Sequence, residues 1–257
     1  MRELQRLYSH PLIGACGQYA APGMADAARR VHGNAKQVRA LQRKNWHSMS
    51  KRQRYDSLVT RALIACFNPL ERAALAIRLA SQYPTSFHRP KTPIGRGEWF
   101  DYHFGEFTVS LVGSFDVCLV ATNAVLQLGL ATRDCREERI LGDRRLKGAA
   151  VIRQLKAIRR TVRPHAERRH GHVHRGENAD IREIDGTDFF MHLHMLSFMA
   201  KYDSSITRDF LSEGWAVGIR EVRPKLKASL ATTIDAVSEF FTALQPLYES
   251  RRVVFAK

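Results

Sequence analysis

The longest apolar stretch of the chain, EWFDYHFGEFTVSLVGSFDVCLVATNAVLQLGL, covers residues 98–130 and contains no proline. Its apolar residues occur nearly all around a helical wheel, as is typical of a helix that is buried on several sides. A strand over FTVSLVGSF would satisfy local propensity, but the length of the stretch and its helix-forming flanks favour one long helix. We therefore expect this helix in the centre of a bundle or in a subunit interface.

Two helices are predicted before this stretch. The apolar residues of segment 57–67 share one helical stripe, formed by Leu58, Ala62, Leu63, Cys66 and Phe67. Asn68 and Pro69 then provide a cap and a first-turn proline for a second helix that ends near Gln82. Segment 83–97, with three prolines and two glycines, is predicted to be a connecting loop. Residues 1–50 are basic and weakly periodic, and we expect them to be mobile or ordered by a partner.

Helices are also predicted after the central stretch. A basic amphipathic helix covers residues 144–164, with an inward face of Leu146, Ala150, Ile152, Leu155 and Ile158. Pro164 marks a kink or a new first turn, and the helical pattern continues until Gly176. Further helices are predicted within 187–202 and over about 224–249. No convincing run of strands occurs, so the fold class is predicted to be all-α.

The charge of the chain indicates the kind of partner it binds. The 257 residues include 41 Lys and Arg against 25 Asp and Glu, a formal net charge of +16. Such an excess favours polyanions, above all nucleic acid, although arginine-rich composition also follows genome bias. The positive charge gathers in residues 29–54 and 144–175, which favours a binding surface over a uniform drift in composition.

Several classes of protein are disfavoured by what the sequence lacks. The four cysteines are scattered and form no C-x-x-C pair, which argues against a zinc ribbon and a disulfide scaffold. The N-terminal residues do not resemble a secretory signal, and no charge-free apolar run reaches the roughly 18–20 residues of a membrane span. We therefore expect a cytoplasmic protein without membrane contact. No P-loop, H-E-x-x-H, G-x-S-x-G or Rossmann glycine pattern is present.

The segment ERRHGHVHRGE, residues 167–177, holds three arginines and three histidines. As a metal site it would offer His170 and His174 on one helix face, with His192 and His194 from another helix. The surrounding arginines oppose a bound cation, so no metal is predicted. As a plain helix end, its cations are favoured by the helix dipole and need no function. His192 and His194 are interpreted as half-buried structural side chains.

A catalytic interpretation of the same segment uses Arg169 and His174. Their positions differ by about 140° on an ideal helix, and the long Arg side chain can swing towards the histidine. His serves as a general acid or base near neutral pH, and Arg stabilises the extra charge on a phosphorane. RNA supplies its own nucleophile, the 2′-OH, so no metal or other cofactor is required. One Arg and one His provide half of the groups that this cleavage requires, and a symmetric dimer would provide the other half.

RHGHVHRG resembles the R-x4-6-H motif of HEPN domains (higher eukaryotes and prokaryotes nucleotide-binding), many of which are metal-independent endoribonucleases. His170 follows Arg169 where the family places a polar residue, His174 matches the family histidine, and the His-Arg-Gly ending is similar as well. The long helix is similar to the first helix of one bacterial HEPN subgroup, which begins Tyr-His-(aromatic)-x-x-Phe and ends near Leu-Gly. The resemblance covers roughly residues 98–250.

The resemblance implies an antiparallel HEPN-like helical bundle over residues 98–257, after a basic and mostly helical extension over 1–97. It further implies a homodimer, or a HEPN–HEPN pairing, in which two motifs face each other. Catalytic roles fall on Arg169 and His174, with His170 as the supporting polar residue. Arg168 satisfies the looser spacing in place of Arg169, and three histidines leave the identity of the working one open.

Other residues of the segment, Arg168, His172 and Arg175, are predicted to contact RNA phosphates. Among the acids of the long helix, Asp101, Glu106 and Asp116, Glu106 is predicted to hold Arg169 or a motif histidine in place. The dipole of the first helical turn also explains Asp101 without any function.

Three functions remain open from the sequence. The first is an endoribonuclease, in a toxin or phage-defence role that implies an antitoxin or another protein partner. The second is a non-catalytic HEPN-like module that binds RNA or protein through the same basic surface. The third is a helical DNA-binding protein with residues 29–54 as a basic arm.

Overall fold

A computed structural model of the chain describes residues 2–18, 49–83, 95–170 and 189–255. Within these ranges the regular structure is helical and no strand occurs, which confirms the predicted all-α class. The helices, numbered here in chain order, are α1 (Arg2–Tyr8), α2 (11–18), α3 (Lys51–Ala65), α4 (Phe67–Ala80), α5 (Arg96–Leu126), α6 (Glu137–Leu141), α7 (Ala150–His170), α8 (Phe189–Met199) and α9 (Arg208–Val254).

Helix α5 is the predicted central helix, formed as one element of 31 residues. Its most apolar window has a mean hydropathy of 1.8, and by length and composition alone such a helix is able to cross a membrane. Of that stretch, 61% is buried inside the fold. Core helices of soluble proteins are often equally long and apolar, so these two properties do not by themselves indicate a membrane span. The buried side chains include Phe104, Phe107, Leu111, Phe115, Cys118, Leu119 and Val125.

Local signals explain where α3 and α4 begin. The Ser50 hydroxyl accepts a hydrogen bond from the backbone N–H of Gln53 at 3.1 Å, and the side-chain oxygen of Gln53 accepts one from the backbone N–H of Ser50 at 2.9 Å. This reciprocal capping box satisfies two amides that the first helical turn leaves without partners. Helix α4 begins at Phe67, one residue before the predicted cap Asn68. Pro69 is tolerated in the first turn because the amide hydrogen that it lacks would have no intrahelical acceptor there.

Two predicted inward-facing residues are exposed. The side chain of Leu58 on α3 is 40% exposed, and Ala150 is exposed at the first turn of α7. In α7 the buried stripe starts at Val151 instead, one residue further along the helix. The predicted inward residues Leu155 and Ile158 are buried, so the rest of the predicted face of α7 is correct and only its first position differs.

The described residues pack as two compact units that share α5, α7 and α9. The first unit comprises residues 1–68, 114–159 and 234–257, and the second comprises 69–113 and 160–233. These units are sets of packed segments and not stretches of sequence. The predicted division of the chain into 1–97 and 98–257 stays a prediction.

The first unit includes the N-terminal residues in its core. Leu4, Leu7, Leu12 and Cys16 of α1 and α2 are buried, so the expectation of mobility is wrong for residues 2–18. Between the two helices, His10 accepts a hydrogen bond from the Leu12 amide at 3.1 Å, and its other ring nitrogen lies 3.1 Å from the Thr242 hydroxyl. Burial raises the pKa of the Cys16 thiol to about 12, which keeps it protonated.

A buried carboxylate links α3 to α9 in the first unit. Asp56, only 2% exposed, accepts hydrogen bonds from the Tyr248 hydroxyl at 2.7 Å and from the Arg252 guanidinium at 3.1 Å. Burial and the bond to Asp56 raise the pKa of Tyr248 above its ordinary value. Next to this network, the Tyr55 hydroxyl donates to the carbonyl of Val125 at 2.9 Å.

The second unit is held by an aromatic cluster. Phe100 of α5 stacks on Phe190 of α8 with ring centres 4.7 Å apart, and the Trp215 ring of α9 lies 6.0 Å from Phe100. These three rings are almost fully buried. At the same place α8 and α9 come close together, since a Cβ on Gly214 would lie 2.6 Å from a Leu193 methyl carbon.

The Asp56 network makes a prediction about stability. Asp56→Ala removes the buried acceptor of two donors, and we expect the free energy of unfolding to fall by about 3 kcal/mol or more. The matched control is Asp235→Ala, which removes an exposed acid from α9 and is expected to stay within about 0.5 kcal/mol of the wild type. Denaturant unfolding followed by circular dichroism measures both. Equal losses in the two variants would contradict the role of the network.

Candidate functional site

Helix α7 carries two different faces along its length. Its buried stripe follows the helical repeat and consists of Val151, Leu155, Ile158, Val162 and His165. The opposite face presents exposed cations, namely Arg153, Lys156, Arg160 and Arg163. This arrangement confirms the predicted amphipathic basic helix, although the helix begins later than residue 144 and passes through Pro164 without ending.

Arg169, the predicted catalytic arginine, continues the buried stripe and not the cationic face. It follows His165 by four residues, one helical turn, and its side chain is only partly exposed. A solvated helix end would place this arginine among the exposed cations. Instead, the motif arginine is on the face of α7 that packs against the rest of the fold.

The helical turn before Arg169 is fixed by a buried histidine. One ring nitrogen of His165 lies 2.9 Å from the Ser229 hydroxyl of α9, and its ring meets the Phe107 ring of α5 edge-on at 5.6 Å. The contacts attach α7 to two helices of the same unit within one turn of the motif. Sequence reasoning missed His165, although its position on the apolar stripe, four residues before Arg169, was a usable signal.

The remaining residues of the motif lie partly outside the described ranges. His170 is the last residue of α7, but its side chain and that of Arg168 are not described. His172, His174 and Arg175 lie entirely outside the described residues. Their catalytic and phosphate-binding roles stay predictions, as does the helical continuation beyond His170.

Glu106 and His103 lie one turn apart on α5, in the same unit as Arg169. Glu106 accepts a hydrogen bond from the Ser110 hydroxyl at 2.9 Å, and its predicted role towards the motif stays a prediction. His103 is 6% exposed, and its ring meets the Trp99 ring edge-on at 4.3 Å. Its Nε2 has no hydrogen-bond partner among the described residues. Burial lowers the pKa of His103, against a smaller raising effect of Glu106, so the ring is neutral near pH 7.

Metal ligands do not cluster in the part of the chain that the structure describes: no three His, Cys, Asp or Glu side chains come together there. On α8, His192 is exposed and not half-buried as predicted, and the side chain of His194 is not described. The predicted absence of a metal in the motif concerns residues outside the described ranges.

The buried histidines predict how stability depends on pH. The pKa values of His103 and His10 are both lowered by burial, so below about pH 6.5 the unfolded chain binds protons that the folded chain does not. We therefore expect their contribution to stability to be lost as the pH falls from about 7 towards 5. In His103→Gln the free energy of unfolding should depend less steeply on pH, whereas Met195→Gln, which replaces an exposed residue without a titratable group, should keep the wild-type slope. Identical slopes in all three proteins would contradict a contribution of buried His103 to the pH dependence of stability.

Comparisons with known proteins assign no family to the chain: no protein-family model, no curated protein and no solved structure matches it. The resemblance to HEPN domains therefore consists of the motif and of the pattern of the long helix. The function has to be argued from the residues themselves.

Proposed function

We propose that the chain is a metal-independent endoribonuclease of HEPN type, with Arg169 and His174 as its catalytic pair. The observation that carries the proposal is the position of Arg169 on the packed face of α7, one turn after the anchored His165. A cation that stabilises a transition state is most effective when the fold holds it in place before the substrate binds.

The chemistry requires three roles around one phosphodiester. A base removes the proton of the 2′-OH, whose oxygen attacks the adjacent phosphorus, and the bond to the 5′-oxygen breaks. An acid protonates the leaving 5′-oxygen, and Arg169 stabilises the charge on the phosphorane. The products are a 2′,3′-cyclic phosphate and a 5′-hydroxyl.

One chain supplies half of the catalytic groups if a single histidine works in each motif. A homodimer that brings two motifs together would supply a base from one protomer and an acid from its partner. His170 would support the pair, and Arg168, His172 and Arg175 would contact neighbouring phosphates. In a cell, such an activity suits a toxin or phage-defence effector that an antitoxin or another protein partner restrains.

The nuclease prediction is tested on RNA in the presence of EDTA. We expect the wild type to cut RNA, to leave 2′,3′-cyclic phosphate ends, and to spare DNA of the same sequence. His174→Ala and Arg169→Ala should each slow cleavage by about a hundredfold or more, because each removes one catalytic role.

Arg78→Ala, which removes an exposed arginine from α4, is the matched control and should cut at the wild-type rate. If His174→Ala is active, the same assay on His170→Ala and His172→Ala identifies the working histidine. Undiminished cleavage by Arg169→Ala and all three histidine variants, or cleavage of DNA at a similar rate, would reject the mechanism.

A non-catalytic RNA-binding module is the second candidate, and the exposed cations of α7 favour it. Arg153, Lys156, Arg160 and Arg163 form a row on the solvent face, where each phosphate contact would release condensed counterions. This row binds RNA in either proposal, whereas only the first requires the motif to cut it. The DNA-binding alternative places the nucleic acid on residues 29–54, which lie mostly outside the described ranges.

The cation row makes a prediction about salt dependence. Arg160→Gln/Arg163→Gln should weaken RNA binding similarly for different sequences and lower the slope of log K against log salt by about one to two. The control Arg72→Gln/Arg78→Gln removes the same charge from exposed positions of α4. Fluorescence anisotropy with labelled RNA over a salt series measures both slopes. An equal change of slope in the control would show that the overall positive charge of the chain attracts RNA and that the row on α7 is not a specific binding surface.

A further inference from the structure

A cleft of about 740 Å³ lies between the end of α4, the first turns of α5 and the middle of α9. Its volume falls within the range of about 300–1,000 Å³ that is typical of small-molecule sites. All lining residues among those described belong to the second unit. The cleft uses none of the residues that the proposed nuclease requires.

The α9 wall of the cleft is a single cationic helix face. Arg220, Arg223 and Lys227 are spaced by three and four residues, so their side chains emerge on the same side of the helix. All three are exposed. Like charges at these spacings destabilise a helix, which makes the cluster costly unless an anion lies against it.

The opposite wall adds a fourth cation and no acid. Arg96, at the start of α5, lines the cleft, and its guanidinium lies 5.3 Å from the centre of the Tyr83 ring. No Asp or Glu is among the described lining residues, and none of the four cations forms an ion pair within the described part of the chain. The sequence between Tyr83 and Gly95 contains no Asp or Glu either. The positive charge of the cleft is therefore not neutralised by these residues.

Aromatic side chains line the cleft beside the cations. Trp99 is partly buried, and its indole N–H donates to the carbonyl of Leu79 at 2.8 Å, which fixes the ring against the end of α4. Tyr83 meets Trp99 edge-on at 6.3 Å. A ligand in this cleft thus meets concentrated positive charge on one side and a rigid aromatic surface on the other.

We propose that the cleft binds a small organic polyphosphate, a molecule with two or more phosphate groups attached to an apolar or planar body. Arg220, Arg223 and Lys227 bind the phosphate oxygens, since guanidinium groups match phosphate geometry with paired hydrogen bonds. The organic body lies along Trp99, where aromatic surface favours flat and weakly polar groups. The size of the cleft favours such a ligand over a strand of RNA, which would occupy a longer groove.

Isothermal titration of the full chain with inorganic tripolyphosphate and with ATP tests the proposal. We expect both probes to bind with one site per chain and ATP to bind more tightly, because only ATP has an organic body for the aromatic wall. Arg220→Gln/Arg223→Gln should weaken binding of both probes at least tenfold, because it removes two charged partners of the phosphates.

The matched control is Arg136→Gln/Arg139→Gln, which removes the same charge from exposed positions of the first unit, outside the cleft and the cation row of α7, and should change affinity less than twofold. Circular dichroism of each variant checks that it is folded, and Lys227→Gln replaces the double variant if the double variant is not folded.

An equal loss of affinity in the control variant would contradict the cleft as the binding site. Equal affinity for ATP and tripolyphosphate would contradict a ligand with an organic body. Single-stranded RNA that displaces ATP and loses affinity in the cleft variant would assign the cleft to RNA instead. None of these readouts involves RNA cleavage, so this proposal and the proposed nuclease succeed or fail separately.

Discussion

The fold depends on the burial of α5, whose apolar side chains point in almost every direction. A helix of this kind is stable in water only when other helices cover it on several sides. Each fully buried Leu or Phe contributes about 1.5–3 kcal/mol, so covering α5 is a large part of the folding free energy. Both units of the fold use it: Phe104 and Phe107 are buried in the second, and Phe115 and Leu119 in the first. Helices α4 and α7 are amphipathic because each needs one apolar face for the core.

Helix α7 shows how that requirement organises the candidate site. Its packed stripe ends in two polar residues, His165 and Arg169, where an extension of the core would require apolar ones. His165 is satisfied by Ser229, and Arg169 is directed away from the solvated cations of the same helix. The helix thereby separates a row of exposed cations on its outer face from a single, partly exposed arginine on its packed face.

Periodicity predicted the long helices well, and it failed where packing outweighs local preference. A helix is predicted over about 224–249, whereas α9 extends from Arg208 to Val254. It passes through Gly214, Gly218 and Pro224, which disfavour a helix by roughly 1 to 3 kcal/mol each. Burial of Trp215 and the close approach of Leu193 to Gly214 compensate for these costs. Residues 2–18 differ from the expected mobility for the same reason, because their short helices gain their stability from the core that they join.

The sequence by itself determined the all-α class, the central and basic helices, the positive charge and the R-x4-H pattern, since each of these is a property of residue type and spacing along the chain. Only the tertiary structure decided that His165 and Asp56 are buried with partners and that cations of α5 and α9 meet around one cleft. Those facts depend on contacts between residues far apart in the chain, such as His165 with Ser229 and Asp56 with Tyr248. Local patterns carry no information on such pairs, because they form only when whole helices pack together.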